Sequence, residues 1–281
     1  MPKKKNIPIF FLTDYGNQDE YVGVVKSVIQ CINPNSKVID ITHEIKSHDV
    51  HAGIYILSKI IDYLPRFCIV LGVVDPGVGS TREGIVGISQ TKDRKIFFVG
   101  PNNGLFTPIF SEKTRIFEID HKKVIRESKK FGLNLFISNT FHGRDIFGPV
   151  SAFLSLGRNY KSFVKREITS PVRIDIPNAS VTLTDGRKTI KGHVIYIDKF
   201  GNIVTNIKDE LIEKNQLHIE ISGRSIGDIR IVSSYAEGKE GEIFGIIGSY
   251  RTLEISLKQA SASEKLGAKI FDTVSISFEH S

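Results

Sequence analysis

Phe67-Cys68-Ile69-Val70-Leu71-Gly72-Val73-Val74-Asp75-Pro76-Gly77-Val78-Gly79-Ser80-Thr81-Arg82 is the stretch that decides the fold. Phe67 to Val74 is an unbroken apolar run, the pattern of a strand buried on both faces. Such a strand needs covering layers above and below it, which points to a sheet flanked by helices. The run ends in Asp75-Pro76-Gly77-Val78-Gly79. Proline fixes one backbone dihedral and glycine permits conformations closed to other residues, so the chain turns sharply. Asp75 is left at the carboxyl end of a buried strand, with Arg82 a short distance on. In open α/β sheets, ligands bind in the crevice outside those strand ends. A plain turn carrying a surface ion pair reads equally well from these residues alone.

The pattern upstream agrees. Ile7 to Thr13 reads as a strand. Tyr21 to Ile32 reads as a helix with Val22, Val25, Val28 or Ile29, and Ile32 on one side, stopped by Asn33-Pro34. Lys37 to Thr42 is a second strand. Val50 to Leu64 is a second helix, stopped by Pro65. Asp19 is placed to cap the Tyr21 helix. Downstream, Ile85 to Ser89 and Lys95 to Val99 form a strand pair around Lys92-Asp93, and Arg115 to Ile119 is a further strand. His121 to Gly132 is polar and reads as surface. Ile146 to Leu156 is a helix ended by Gly157. Alternation of strands and helices predicts a mostly parallel sheet with helices on both faces.

Arg158 to Pro177 has little apolar periodicity and reads as a crossover. Beyond it lie short strands separated by turns, from Val181-Thr184 to Thr273-Phe278. That density predicts a small β-barrel or sandwich. A chain of 281 residues also favours two domains. They are expected at 1–165 for the α/β domain and 166–281 for the all-β one.

Composition excludes several classes. The net charge of +7 arises from scattered Lys and Arg, with only Lys3-Lys4-Lys5 dense and a looser group around Lys122, Lys123, Lys129 and Lys130. No aromatic residues alternate with basic ones as on a base-stacking surface, so no nucleic acid is expected. No apolar run reaches transmembrane length and the N-terminus has no signal-type apolar region, so no membrane partner and a cytoplasmic location are expected. Cys31 and Cys68 sit in apolar contexts and read as reduced core residues. His43, His48 and His51, with Glu44 and Asp49, match no standard zinc spacing, and no metal is expected. Neither a dinucleotide fingerprint nor a P-loop is present, which argues against a polyphosphate ligand.

Several groups at strand ends and turns have chemistry available. Asp14 follows the first strand as Asp75 follows the third, and a carboxylate there can accept from a ribose diol. An Asx turn is the alternative. His142, before Gly143 at a loop–helix junction, titrates near neutrality; Asp145 pairing with Arg144 is the plainer reading of that loop. In the second half, Phe200 lies between Asp198 and Asn202, a combination able to stack on a purine and hold its polar groups. Gly248-Ser249-Tyr250 is a second turn of this kind.

Taken in order, Thr13-Asp14-Tyr15-Gly16, Asp40-Ile41-Thr42-His43-Glu44, Val74-Asp75-Pro76-Gly77-Val78-Gly79, Gly100-Pro101-Asn102-Asn103-Gly104, Thr140-Phe141-His142-Gly143-Arg144-Asp145 and Asp198-Lys199-Phe200-Gly201-Asn202 resemble the S-adenosyl-L-methionine (SAM) hydroxide adenosyltransferases. These are relatives of the SAM-dependent fluorinase and chlorinase. The resemblance spans nearly the whole chain. It implies an N-terminal Rossmann-like domain, a C-terminal β-barrel, and a homotrimer with active sites at subunit interfaces. The implied reaction is SAM plus water giving adenosine and L-methionine, with SAM as substrate and no cofactor. The residues matching the family's water-handling set are Asp75, Arg82 and His142. Those matching its substrate-binding positions are Asp14, Asp198, Phe200, Asn202 and Ser249. The halogenases carry Tyr-Ser where this chain has His142-Gly143 and lack the Asp matching Asp75, which favours water over halide. A halogenase and a non-catalytic SAM or adenosine sensor are the rival expectations. A methyltransferase is weaker, since no glycine-rich loop follows the first strand.

Overall fold

The computed structural model describes residues 6–279; Lys3-Lys4-Lys5 lies outside them. The chain divides into two compact units, residues 1–174 and 175–281. In the first, the elements run β1 (Ile9–Thr13), α1 (Tyr21–Ile32), β2 (Val38–Thr42), α2 (Val50–Ile60), β3 (Phe67–Val73), β4 (Gly84–Gln90), β5 (Lys95–Pro101), β6 (Arg115–Ile119), α3 (His121–Lys129), α4 (Gly148–Ser155) and β7 (Val164–Ile168).

The strands form one sheet in the order β2-β1-β3-β5-β4-β6-β7. β2, β1, β3 and β5 run parallel. β4, β6 and β7 pair antiparallel. The switch in sense comes at the β4–β5 hairpin, closed by the Thr91 amide donating to the Arg94 carbonyl at 2.9 Å. So short a connection permits only antiparallel pairing.

β3 is buried from Cys68 onward, as its unbroken apolar run requires. Its side chains alternate between two cores. Ile69, Leu71 and Val73 share one with Val22, Val25 and Ile29 of α1 and Val150 and Phe153 of α4. On the other face, a side chain at Gly72 would meet Leu105 and Phe106, and one at Gly53 of α2 would meet Leu105. The chain goes from β1 outward to β2, then back past β1 to β3. The crevice beyond the carboxyl ends of β1 and β3 is therefore a topological switch point.

Some local expectations need correcting. α1 is capped at Glu20 without a side-chain bond, so Asp19 is not its cap. α2 ends at Ile60 and the last turn tightens to a 3-10 helix. His121–Lys129 is helical, capped by Asp120, and buries Val124, Glu127 and Ser128. Part of the Arg158–Pro177 stretch forms β7, an edge strand of the first sheet. Cys68 is buried, but Cys31 is exposed; both thiols are free.

The second unit contains β8 (Ser180–Thr184), β9 (Arg187–Ile197), β10 (Ile203–Lys208), β11 (Gln216–Ile221), β12 (Arg224–Val232), β13 (Ile243–Ile247), β14 (Thr252–Leu257), α5 (Ala262–Leu266) and β15 (Thr273–Glu279). The order is β10-β14-β13-β12-β11-β15-β9-β8, and β10 also pairs with β9. That last pairing closes seven strands into a barrel, with β8 laid outside on β9. Ile190, Ile203, Ile219, Leu253, Ile255 and Ile276 fill its interior.

Candidate active site

Three groups far apart in sequence meet beyond the end of β3. Arg82 Nη2 donates to Asp75 Oδ2 at 2.5 Å and lies 3.0 Å from His142 Nδ1. The Asp75 and Arg82 side chains are only 5% and 10% exposed, and His142 is buried. The Asp75–Arg82 turn is wound on itself. The Ser80 hydroxyl donates to the Gly77 carbonyl at 2.6 Å and accepts from the Arg82 amide at 3.2 Å. Arg82 is also held by the Glu83 carbonyl at 3.0 Å and lies over the Phe147 ring.

Gly79 explains how the turn reaches His142. Its φ is +77°, and a Cβ there would run into the Asn139 carbonyl. Asn139 belongs to the loop that delivers His142, so the two loops touch backbone to backbone. That second loop is set by Asp145, which is fully buried. Asp145 accepts from the Ser138 amide and hydroxyl, both at 2.9 Å, and from Arg144 at 2.6 Å. The expected Arg144–Asp145 pair thus exists and serves to fix the loop. Asn103 braces the turn from the other side, donating to the Val74 carbonyl at 2.8 Å.

Asp14, Tyr15, Tyr21, Asp75, Phe141, His142 and Gly143 line one cavity of about 260 Å³, along with Ser47, His48 and Thr140. Asp14 Oδ2 accepts from the His48 amide at 2.8 Å, leaving its other oxygen for a ligand. His43 is not among the residues lining this cavity. It is buried, its Nδ1 lies 2.8 Å from the Thr13 hydroxyl, and its carbonyl accepts from the Gly16 amide at 2.7 Å. It therefore braces the loop that carries Asp14. Among the described residues, no group of three His, Cys, Asp or Glu is arranged to hold a metal ion.

Burial disfavours charge, and it does so on every member of the triad. It raises Asp75 above the ordinary carboxylate value despite the opposing pull of Arg82. It lowers Arg82 despite Asp75. His142 is pushed down to about 4, first by burial and then by the Arg82 charge. A guanidinium has donors only, so His142 Nδ1 accepts from Arg82 and the ring carries its proton on Nε2.

The second unit has its own cavity, of about 620 Å³, lined by Asp198, Phe200, Asn202, Tyr235, Phe244, Leu257, Lys258, Gln259, Ala260 and Ser261. Phe200 is 67% exposed, an aromatic face offered outward. Asp198 is largely consumed locally, accepting from the Phe200 and Asn202 amides at 2.9 Å and the Asn202 side chain at 2.8 Å. Tyr235 donates to the buried Glu254 at 2.7 Å. Ser249 is on the exposed turn between β13 and β14 and is not among the cavity-lining residues. Asp14, Asp75 and His142 therefore share one cavity with Arg82 behind it, and Asp198, Phe200 and Asn202 share the other.

Sequence reasoning passed over Tyr15, Tyr21 and Phe141 in the first cavity and Tyr235 and Lys258 in the second. Tyr15 had a signal, since it follows Asp14 at the same strand end. Ser225, His218 and Asp228 also line up, at 3.2 and 2.8 Å. Asp228 is 61% exposed there and is the direct cross-strand partner of His218, so a solvated β-ladder pair accounts for it.

A doubly covered α/β sheet with a carboxylate–guanidinium–imidazole set at its switch point, followed by a seven-stranded barrel, defines the class of two-unit proteins to which this chain belongs. The chain belongs to the SAM hydroxide adenosyltransferase family: the model of the N-terminal domain matches residues 9–164 and that of the C-terminal domain residues 192–275. It is 35% identical to the (R)-S-adenosyl-L-methionine hydrolase of Methanocaldococcus jannaschii, covering 95% of each chain. It is 33% identical to the protein of that name from Thermus thermophilus, covering 93% of this chain and 96% of that one. Among solved structures, an uncharacterized conserved protein from Thermotoga maritima superposes with a TM-score of 0.78 at 30% identity, covering 95% and 99%.

Proposed function

We propose that this chain hydrolyses SAM to adenosine and L-methionine by in-line attack of water or hydroxide on carbon 5′. The observation that carries the reading is that Asp75 and His142 line one cavity and are joined by Arg82 directly behind it. The sulfonium leaves as a neutral thioether, so its departure needs no acid. Water is the weak partner and must surrender a proton as it attacks. The His142 Nδ1 lone pair is already engaged by Arg82. Asp75 Oδ1 is buried and makes no hydrogen bond of normal geometry among the described residues, and burial raises its basicity. Asp75 is therefore the base, Arg82 stabilises the hydroxide-like oxygen, and neutral His142 orients Arg82. Proton removal of this kind is worth ~10²–10⁴-fold. As O–C5′ forms, C5′–S breaks and the bonding pair goes to sulfur. Hydroxide and sulfonium merge opposite charges, so a site shielded from bulk water favours the transition state.

Asp14 is assigned to the ribose hydroxyls. Phe200, Asn202 and Asp198 are assigned to the adenosyl and methionine portions, and Ser249 to a weaker contact. SAM is the substrate and the reaction needs no cofactor. A homotrimer with sites at subunit interfaces belongs to the same reading. A cavity of about 260 Å³ is below the usual range for ligand pockets, so SAM needs further walls. Cytoplasmic location is the matching setting; among the described residues no helix is long and apolar enough to cross a membrane.

Incubation of SAM stereospecifically deuterated at carbon 5′ in ¹⁸O-water is expected to place ¹⁸O on carbon 5′ of adenosine with inversion. Unlabelled adenosine or retention overturns the single displacement. Adding fluoride or chloride and seeking 5′-halo-5′-deoxyadenosine tests the halogenase alternative, which Asp75 disfavours by repelling an anion. Stoichiometric binding without turnover would mark a sensor.

The pH dependence follows from the triad. His142 is neutral above about 4, so kcat is expected to show no inflection near 6.5. It should fall on acidification as Asp75 and His142 take up protons. A His142 imidazole that titrates near 6.5 by NMR overturns its assignment as a neutral acceptor. Its folded-state value lies below the unfolded 6.5, so this group's stability contribution is complete above 6.5 and is lost as pH falls towards about 4.

A further inference from the structure

We propose that Tyr15 is a further catalytic residue, its phenol hydroxyl donating a hydrogen bond to the attacking oxygen. This rests on the hydrolytic reading above and extends it to a group outside the Asp75–Arg82–His142 set.

Four observations converge on that hydroxyl. Tyr15 lines the cavity together with Asp75, His142 and Gly143. Its oxygen end is aimed at the triad: a Cβ on Gly143, the neighbour of His142, would collide with the Tyr15 hydroxyl and lie 3.3 Å from Cζ. The ring cannot easily swing away, being wedged against Tyr21 and Phe141 with centroids 5.8 Å from each. Tyr15 is half-buried, with its ring packed on the core of the first unit. Among the described residues no protein hydrogen bond reaches this hydroxyl, which opens onto the cavity.

Burial, then the negative charges of Asp14 and Asp75, hold the phenol far above its ordinary value. It is thus a permanent donor. As its proton passes to Asp75, the water takes over the negative charge the carboxylate gives up, and in a shielded site that charge is unfavourable unless donors face it. Arg82 supplies one donor, already shared with Asp75 and His142. Tyr15 supplies a second, uncommitted one. The Tyr15 proton stays on its oxygen throughout; the water proton goes to Asp75, O–C5′ forms and C5′–S breaks.

The test is steady-state SAM hydrolysis by the full chain with Tyr15→Phe, Gly143→Ala and both together. Tyr15→Phe keeps the ring and its packing, and kcat is expected to fall on the order of 10²-fold with KM within about twofold. Gly143→Ala pushes the hydroxyl aside and should lower kcat comparably, yet add little in the Tyr15→Phe background. Unchanged kcat in Tyr15→Phe overturns the proposal, as do additive losses in the double variant or a loss that appears in KM and thermal stability instead. If the parent chain itself does not hydrolyse SAM, the hydrolytic reading fails first, a result distinct from an active parent with an equally active Tyr15→Phe.

Discussion

Asp75→Asn is expected to lower kcat for SAM hydrolysis by ~10²–10⁴-fold while KM stays within about twofold. The change preserves shape. An amide can still accept from Arg82 at the position of Oδ2 but cannot take a proton from water. Loss confined to kcat is the signature of a group that acts only in the transition state. His142→Asn offers the contrast. His142 is assigned to orienting Arg82, so its removal should cost less than removal of Asp75. Were His142→Asn the more damaging of the two, the base would be the imidazole and the roles would have to be exchanged.

Arg82→Met is expected to give the largest stability loss of any single change in the site. The Asp75–Arg82 pair is almost fully enclosed. Removing one partner of a buried pair strands the other charge and costs about 3–5 kcal/mol, read from urea or thermal unfolding. The diagnostic comparison is Asp75→Asn with Arg82→Met. That double variant has no stranded charge and should recover much of the loss, though it remains inactive. If it is no more stable than Arg82→Met alone, the penalty comes from packing against Phe147 and not from the buried carboxylate.

Local periodicity made much of the first unit readable. β3 and the buried face of α1 follow directly from residue spacing, because each element's pattern is complete within itself. α3 was missed for the opposite reason. Its buried set includes Glu127 and Ser128, polar residues that hide the stripe a helix normally displays. Glu127 is tolerated there because Lys130 and Arg158 pair with it at 2.7 Å, one from the next turn and one from beyond α4. Barrel closure was not readable either, since the β9–β10 and β9–β15 pairings depend on where distant strands fall.

The site divides similarly. Asp14 and Asp75 stand out in the sequence because they follow buried strands. Arg82 and His142 are 60 positions apart, and nothing in their local sequence says that they touch; the family resemblance supplied that link. Tyr15 was quoted within a motif yet given no role, because nothing in the polar stretch Asp14-Tyr15-Gly16 sets its hydroxyl apart. What singles it out is where its hydroxyl ends, a fact of three-dimensional placement. Ser249 shows the converse: a turn serine with suitable chemistry that sits apart from the cavity-lining residues.

The meshing of Gly79 with Asn139 sets the spacing of the site through main chain alone. Neither contact partner in that meshing is a functional side chain of the site. Such a frame lets different nucleophiles be served by swapping a few functional groups while the scaffold stays put, and any substituent at Gly79 would push the guanidinium and the imidazole apart whatever residues they are attached to.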